Sequence, residues 1–87
     1  MNNRSYIIGR NGHIQLFDKT TSGRHAELVV LNDSIYLTDL GSTNGTFIMD
    51  GNQRKPFKEG YIDLNQRVAF GNHILSVREL IARAQMV

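Results

Sequence analysis

The stretch "LGSTNGTF", residues 40–47, joins two hydrophobic runs through a loop of glycines, hydroxyl side chains and one amide. An Asn-Gly pair between apolar runs is a strong signal for a hairpin, because both residues tolerate positive φ. Asn44-Gly45 therefore predicts a tight turn between two strands. We assign Ser42 and Thr46 to support of this turn, and we keep Thr43 and Asn44 as candidates for binding.

Short strands punctuated by turns extend from this loop in both directions. The apolar or alternating runs are residues 5–9, 14–17, 26–31, 35–40, 46–49, 61–64, 67–70 and 73–77, whereas 50–57 is expected to be a loop. Many short strands with regular turn signals predict an all-β fold, an antiparallel β-sandwich.

The C-terminus departs from the strand pattern. Residues 78–87 are expected to form a short helix or tail, with Leu80, Ile81 and Ala84 on one apolar face. We predict one domain over residues 1–87, with its core at about 6–77.

Composition limits the classes of function. The chain has no cysteine, which excludes disulfide and thiol chemistry and is compatible with a reducing cytoplasm. Its formal net charge is +2, with acidic residues spread along the chain, so it lacks the basic stripe of a nucleic-acid binder. No apolar run approaches the roughly 18 residues that span a membrane. We predict a cytoplasmic protein that binds neither nucleic acid nor membrane.

Catalytic chemistry finds little support in the sequence. Ser22, His25 and Asp39 could form a triad on paper, but the serine lacks the context of an activated nucleophile. His13, His25 and His73 are far apart, without the spacing of a metal site. We predict a protein that is not an enzyme and that has no metal or cofactor.

Three loops instead carry the groups that hold an anion. Arg10 follows the first predicted strand, at 5–9. Ser22 and Arg24 precede the strand at 26–31, which has the strongest apolar run. Thr43 and Asn44 lie in the loop that follows the strand at 35–40. Loops cluster at the two ends of a sandwich, so these three could converge. A phosphorylated side chain brings about −1.5 to −2 charges and three acceptor oxygens, which guanidinium and hydroxyl groups match.

The ordered set of motifs resembles the forkhead-associated (FHA) domain. It comprises Gly9-Arg10, Ser22-x-x-His25, residues 40–47 and the pattern from Gly60-Tyr61 to Gly71. The resemblance runs from about residue 6 to about residue 77. It implies a β-sandwich that binds phosphothreonine peptides through loops at one end, in a protein partner that is a Ser/Thr kinase substrate.

The resemblance also implies roles for individual residues. Arg10 and Ser22 are expected to contact the phosphate, with Arg24 as an additional cation. Thr43 is expected to help at the phosphate, and Asn44 to hold the backbone of the peptide.

Three further residues are expected to support the site. His25 should tie the loops together, Gly9 precedes the key arginine, and Gly45 should occupy the left-handed position of the turn.

The chain departs from the family pattern in three places. The loop after Arg10 is short, and Gly23 stands where the family often has arginine, so that Arg24 is one place later. Five residues precede Tyr6, so the first two strands of the family are expected to be missing. Such a loss exposes a sheet edge, which a second copy or the C-terminal segment could cover. The alternative function is therefore a phosphate-independent assembly or homodimerisation module on the same fold.

Overall fold

A computed structural model describes residues 3–86, which form nine strands and one helix. The strands are β1 (Arg4–Gly9), β2 (Ile14–Gln15), β3 (Ala26–Val30), β4 (Ile35–Asp39), β5 (Thr46–Asp50), β6 (Gln53–Pro56), β7 (Glu59–Ile62), β8 (Arg67–Phe70) and β9 (His73–Ser76), and the helix is α1 (Val77–Ala84). The all-β sandwich with a short C-terminal helix is thus confirmed.

The strands form two sheets. A five-stranded sheet has the order β2-β1-β3-β4-β7, and a four-stranded sheet has the order β6-β5-β8-β9. Apolar side chains from both sheets meet between them, among them Ile8, Leu28 and Leu37 from the first sheet and Val68 and Phe70 from the second. All five are completely buried, so the alternation in the sequence reflects one inner and one outer face.

One pairing differs from the expected antiparallel pattern. β2 runs parallel to β1 over two residue pairs, Ile8 with Ile14 and Gly9 with Gln15. The loop of residues 10–13 folds back beside β1, where the imidazole Nδ1 of His13 accepts a hydrogen bond from the backbone of Ile7. The predicted strand at 14–17 is therefore reduced to two residues.

Helix α1 closes one side of the sandwich. It begins after Ser76, whose hydroxyl accepts from the backbone N–H of Glu79 at 3.0 Å, as an N-cap does. It contacts β9 and β2, which are edge strands of the two sheets. Val77, Leu80 and Ala84 are buried in the core, which extends beyond residue 77. As the one helix of residues 3–86, α1 is neither long nor apolar enough to cross a membrane.

Two edge strands correct the prediction from sequence. Residues 50–57 were expected to be a loop, but β6 occupies part of this range. β7 begins two residues before the predicted run at 61–64 and ends at Ile62. All four residues of β6 are exposed. An edge strand that buries no side chain has no hydrophobic alternation, so its sequence carries no strand signal.

Candidate functional site

The three predicted loops meet at one end of the sandwich. The backbone N–H of Arg10 donates to the carbonyl of Ser22 at 3.1 Å, and the next N–H, of Asn11, donates to the carbonyl of Gly23 at 2.9 Å. The N–H of Thr43 donates to the Ser22 hydroxyl at 3.1 Å. Ser22 is therefore the point at which the β1–β2 and β4–β5 loops join the β2–β3 loop.

Gly9 permits this close approach. A Cβ atom at position 9 would lie 2.4 Å from the carbonyl oxygen of Gly23, a distance that no side chain can occupy. Any other residue would force the arginine loop away from the serine loop, and the two backbone hydrogen bonds would break.

His25 connects the β2–β3 and β4–β5 loops and is completely buried. Its Nδ1 accepts from the Ser22 backbone N–H at 3.0 Å, and its Nε2 donates to the carbonyl of Gly45 at 2.9 Å. This arrangement requires the neutral ring, and burial lowers the pKa of His25 against the opposing effects of Gly45 and Asp39. Because the ring bonds the Ser22 backbone and not its hydroxyl, the two residues are not arranged as nucleophile and base.

Asp39 organises the β4–β5 loop. Its carboxylate accepts from the backbone N–H groups of Gly41 and Ser42 and from the hydroxyls of Ser42 and Thr46, at 2.6–3.1 Å. Burial acts to raise the pKa of Asp39, but the hydrogen bonds from Ser42 and Thr46 outweigh burial and lower it. From the sequence, Asp39 was considered only as a triad member. Its position three residues before a serine is the signal of an Asx-type turn.

Gly45 completes the turn with a φ of 87°, in the left-handed region that favours glycine. Its carbonyl accepts from His25 and also from the N–H of Gly71 at 2.9 Å. The turn is thereby attached to the β8–β9 hairpin as well as to the serine loop.

A small depression lies where the three loops meet, with a volume of about 140 Å³. Its lining residues are Arg10, Lys19, Thr20, Thr21, Ser22, Thr43 and Asn44. Four of the five predicted binding residues are in this set. The volume is below the roughly 300–1,000 Å³ of sites for drug-sized ligands, so the depression suits a single chemical group.

The polar groups of the depression suit an anion. The Ser22 oxygen accepts from Thr43, which leaves the hydroxyl hydrogen free to donate. Within residues 3–86, neither Arg10 nor Lys19 forms a salt bridge. The lining contains two cations and no carboxylate, so the lining itself attracts an anion. The Asp18 carboxylate, which does not line the depression, accepts from the backbone N–H and the hydroxyl of Thr20.

Asn44 already uses part of its hydrogen-bonding capacity. Its Nδ2 donates to the carbonyl of Thr20 at 2.9 Å, which ties the β4–β5 loop to the β2–β3 loop. An amide has a second N–H and an oxygen, and these suit the C=O and N–H of a peptide backbone.

Arg24 does not line the depression, although it was predicted to bind. Its side chain is exposed. Lys19 lines the depression in its place, and neither this lysine nor the adjacent Thr20 and Thr21 was predicted from the sequence. Their position directly before Ser22 in the same loop is the signal that could have identified them.

The β8–β9 hairpin supports the depression from behind. Its Asn72 N–H donates to the Thr20 hydroxyl at 2.7 Å, and the hydroxyl of Thr21 donates to the carbonyl of Phe70 at 3.0 Å. The guanidinium of Arg54 in turn donates to the carbonyl of Gly71. The edge strand β6 therefore helps to position the serine loop.

In the part of the chain that the structure describes, no group of three or more His, Cys, Asp or Glu residues could hold a metal ion.

Comparison with known families agrees with this geometry. The sequence profile of the FHA domain matches residues 6–71, which include all three loops. The chain belongs to the FHA domain family. A search of curated protein sequences found no significant match.

Solved FHA domains show the same fold. The FHA domain of FhaA, in complex with the intracellular domain of another protein, is 30% identical with a TM-score of 0.72, over 85% of this chain and 79% of that one. An FHA structure from work on phosphothreonine-dependent interactions is 29% identical with a TM-score of 0.75, over 87% and 77% of the two chains. The FHA domain of the CT664 protein from Chlamydia trachomatis is 33% identical with a TM-score of 0.70, over 82% and 71%. This chain is therefore an FHA domain of a family that includes phosphothreonine-dependent binding modules.

Proposed function

We propose that this FHA domain is a non-catalytic module that binds a phosphothreonine-containing segment of a partner protein. The observation that carries the proposal is the depression of about 140 Å³, which combines Arg10, Lys19, Ser22, Thr43 and Asn44 without an acidic residue. Guanidinium and ammonium groups neutralise the phosphate, and hydroxyls donate to its remaining oxygens.

Within this proposal each residue has a distinct part. Arg10 and Lys19 supply the charge, the Ser22 hydroxyl donates to a phosphate oxygen, and Thr43 adds a second hydroxyl. Asn44 holds the peptide backbone beside the phosphothreonine through its free amide N–H and oxygen. Gly9, His25 and Gly45 hold the loops in position and do not touch the ligand.

The partner we propose is a protein that a Ser/Thr kinase has phosphorylated, and a cytoplasmic location remains a prediction from the sequence. The likeness to an FHA structure from phosphothreonine-dependent interactions supports the class of ligand.

The test is fluorescence anisotropy with a labelled phosphothreonine peptide and its unphosphorylated twin. We expect binding of the phosphopeptide only, and a loss of about 10- to 150-fold for Arg10→Ala, since a hydrogen bond to a charged group contributes about 1.5–3 kcal/mol. Arg67→Ala is the matched control, because Arg67 is an exposed arginine on β8, outside the depression. Equal affinity for the two peptides would refute the proposal.

Assembly through a sheet edge is the second candidate function, and the position of β9 favours it. β9 is an edge of the four-stranded sheet, hydrogen-bonded to β8 alone within the described chain, and its Ile74 is 40% exposed. An edge strand presents unpaired backbone groups that a second copy could extend into a continuous sheet. Analytical ultracentrifugation over a concentration series tests this; a monomer at the highest concentration removes the homodimer.

A further inference from the structure

A second concavity lies at the end of the sandwich opposite the depression. Strand β3 begins beside the binding loops and ends at Val30, where the chain turns into β4. The turns after β3 and β7, residues 31–34 and 63–66, therefore lie at the far end. Between these turns and α1 is an open cleft of about 600 Å³, which we call the distal cleft. Its aliphatic lining residues are Val30, Leu31, Ile35, Ile62, Leu64 and Ile81. The volume lies in the range of roughly 300–1,000 Å³ that is usual for ligand sites.

The floor of the distal cleft is an apolar row that remains partly open to solvent. Val30, Ile35 and Ile62 are register partners on β3, β4 and β7, so their side chains lie next to one another on the inner face of the sheet. The next row on this face, with Leu28 and Leu37, is completely buried, whereas Val30 and Ile35 are only half-buried. The hydrophobic core therefore reaches the surface at this end.

The walls of the distal cleft are held by hydrogen bonds between the β7–β8 turn and the helix. Within the turn, the N–H of Asp63 donates to the side-chain oxygen of Gln66 at 2.8 Å. The N–H of Val77, the first helical residue, donates to the carbonyl of Gln66 at 2.8 Å. The next N–H, of Arg78, donates to the carbonyl of Leu64 at 3.1 Å. A side chain that enters the cleft therefore meets a surface that is already formed.

The rim of the distal cleft is acidic. Asp33 and Asp63 stand on its two turns, both are exposed, and neither forms a salt bridge within residues 3–86. None of the described residues that line the cleft is lysine, arginine or histidine. Arg4 and Arg78 are close by but outside the lining, and Arg78 donates to Oδ1 of Asn65 at 3.1 Å. The charge of this lining is therefore opposite to that of the depression.

We propose that the distal cleft is a second, phosphate-independent docking site, which binds a segment of a partner protein through a bulky aliphatic side chain flanked by lysine or arginine. The aliphatic side chain packs on the row of Val30, Ile35 and Ile62, and the flanking cations meet Asp33 and Asp63. Charge complementarity selects this occupant, because two carboxylates border the apolar floor.

The two sites are separate, since the distal cleft and the depression share no lining residue and lie at opposite ends of the sandwich. Binding at the cleft requires no phosphate at the depression. One FHA domain can accordingly hold a phosphorylated protein at one end and a second protein at the other.

The experiment is a selection of binders from a phage-displayed library of random twelve-residue peptides. Displayed peptides carry no phosphate, so the cationic depression does not favour them. We expect the enriched peptides to share a leucine, isoleucine or valine beside a lysine or arginine. Two of them are synthesised with a fluorescent label, and their affinities are measured by anisotropy. The affinities should agree within about twofold with and without a saturating phosphothreonine peptide.

Two matched pairs of variants locate the site. Leu64 and Ile74 are both 40% exposed, but only Leu64 lines the cleft. Leu64→Ser should weaken the selected peptides by about tenfold, and Ile74→Ser by less than about twofold. Asp63→Asn should weaken them by about threefold, and less at high salt. Glu59→Gln, which removes an exposed carboxylate at the other end of β7, should leave their affinity unchanged.

NMR makes the same assignment without any substitution, so a variant that fails to fold leaves the test intact. Amide resonances of residues 31–34 and 63–66 should shift when a selected peptide is added, and those of Arg10 and Thr43 should not. Shifts confined to the depression would overturn the docking site.

The other outcomes are equally distinct. A library that yields no enriched peptide, or peptides that bind Leu64→Ser and Ile74→Ser equally, overturns the docking site. Enriched peptides without lysine or arginine overturn the class of partner. Self-association in sedimentation that Leu64→Ser abolishes makes a second copy the occupant and overturns the partner. A chain that binds the selected peptides but no phosphothreonine peptide keeps the distal cleft and refutes only the proposed function.

Discussion

At the scale of single residues, the fold distinguishes two cations that the sequence places on either side of Ser22. Lys19 lines the depression with Arg10, whereas Arg24 is exposed and lies outside the lining. Loops 9–11 and 22–23 pack closely, and a Cβ atom at Gly23 would lie 2.9 Å from the Asn11 side chain. Gly23, where the resemblance leads one to expect arginine, packs against the Asn11 side chain. The second cation that we propose, Lys19, lies on the N-terminal side of Ser22.

We predict that Lys19→Ala weakens binding of a phosphothreonine peptide more than Arg24→Ala does. Loss of a partly solvated charge contact should reduce affinity by about fivefold, or roughly 1 kcal/mol, and should reduce its dependence on salt. Arg24→Ala should change affinity by less than about twofold. Isothermal titration calorimetry at two salt concentrations measures both effects.

Lys55→Ala controls for net charge in this comparison, because Lys55 lies on β6 and pairs with Asp50 at 3.0 Å. A larger loss in Arg24→Ala than in Lys19→Ala would contradict the assignment of Lys19 and restore the expectation from sequence.

At the scale of elements, the β4–β5 loop is held by two side chains and by one backbone group of the β8–β9 hairpin. Asp39 binds its first residues, His25 binds the Gly45 carbonyl, and the β8–β9 hairpin donates to the same carbonyl through Gly71. The loop is therefore a fixed part of the sandwich. The proposed ligand groups on Thr43 and Asn44 are presented by this fixed turn, which is a condition for preorganised binding.

The substitutions Gly45→Ala and Gly41→Ala test this rigidity within one loop. Both glycines have positive φ, 87° and 70°, so each alanine should cost about 1–2 kcal/mol from the backbone alone. A Cβ at Gly45 also meets the Phe47 ring at 3.1 Å, whereas nothing lies within 4 Å at Gly41. We expect Gly45→Ala to lower the free energy of unfolding further, as measured by urea denaturation. Equal costs would show that Phe47 moves aside freely.

At the scale of the whole molecule, the site and the core share the same buried polar residues. His25 is completely buried and its ring lies 5.6 Å from that of Phe70, centre to centre. The hydrogen bonds that order the loops therefore also contribute to the stability of the sandwich. Conditions that protonate His25 should weaken the fold and the binding end together.

We predict that the free energy of unfolding falls on acidification. Burial lowers the pKa of His25 in the folded state, so below about pH 6.5 the unfolded chain binds the proton more readily. The contribution of neutral His25 is fully present above about pH 7.5. One such group changes stability by at most about 1.4 kcal/mol per pH unit. Below about pH 4, Asp39 and Asp18 add to the loss, because hydrogen bonds lower their pKa values in the folded state.

Urea denaturation at pH 8, 6.5 and 5 measures this dependence. A His25→Gln variant, less stable at pH 8, should lose the dependence between pH 6.5 and 5, whereas His73→Gln should keep it. Constant stability from pH 8 to pH 5 in the original chain would contradict the prediction.

Much of the fold could be predicted because the buried strands carry one of two sequence signals. Strand β3 alternates, with Ala26 and Leu28 buried, whereas β8 is a short apolar run in which Val68, Ala69 and Phe70 are all buried. Asn-Gly, Asp-Gly and Gly-Asn pairs mark the turns. The edges could not be predicted in this way. β6 buries nothing, and β2 is defined by a loop that folds back beside β1.

The sequence predicted the kinds of chemical group that form the site better than it predicted which individual residues supply them. Arg10, Ser22, Thr43 and Asn44 stand in ordered motifs, and the structure places all four around one depression. Lys19 and Arg24 could not be distinguished from sequence, because both flank Ser22 and only the path of the loop decides which side chain faces the depression. Arg54 was missed because it contacts Gly71, which is 17 positions away in sequence. Asp39 was missed although Gly41, Ser42 and Thr46 are close to it in sequence, because it was considered only as a triad member.

The sequence by itself determined the sandwich, the terminal helix and the FHA family, since local periodicity, turn residues and ordered motifs are properties of the chain alone. The tertiary structure alone decided which cation joins Arg10 and how the β8–β9 hairpin supports the serine loop. Those features depend on contacts between residues up to 52 positions apart, as between Asn72 and Thr20, and such contacts form only when the two sheets pack together.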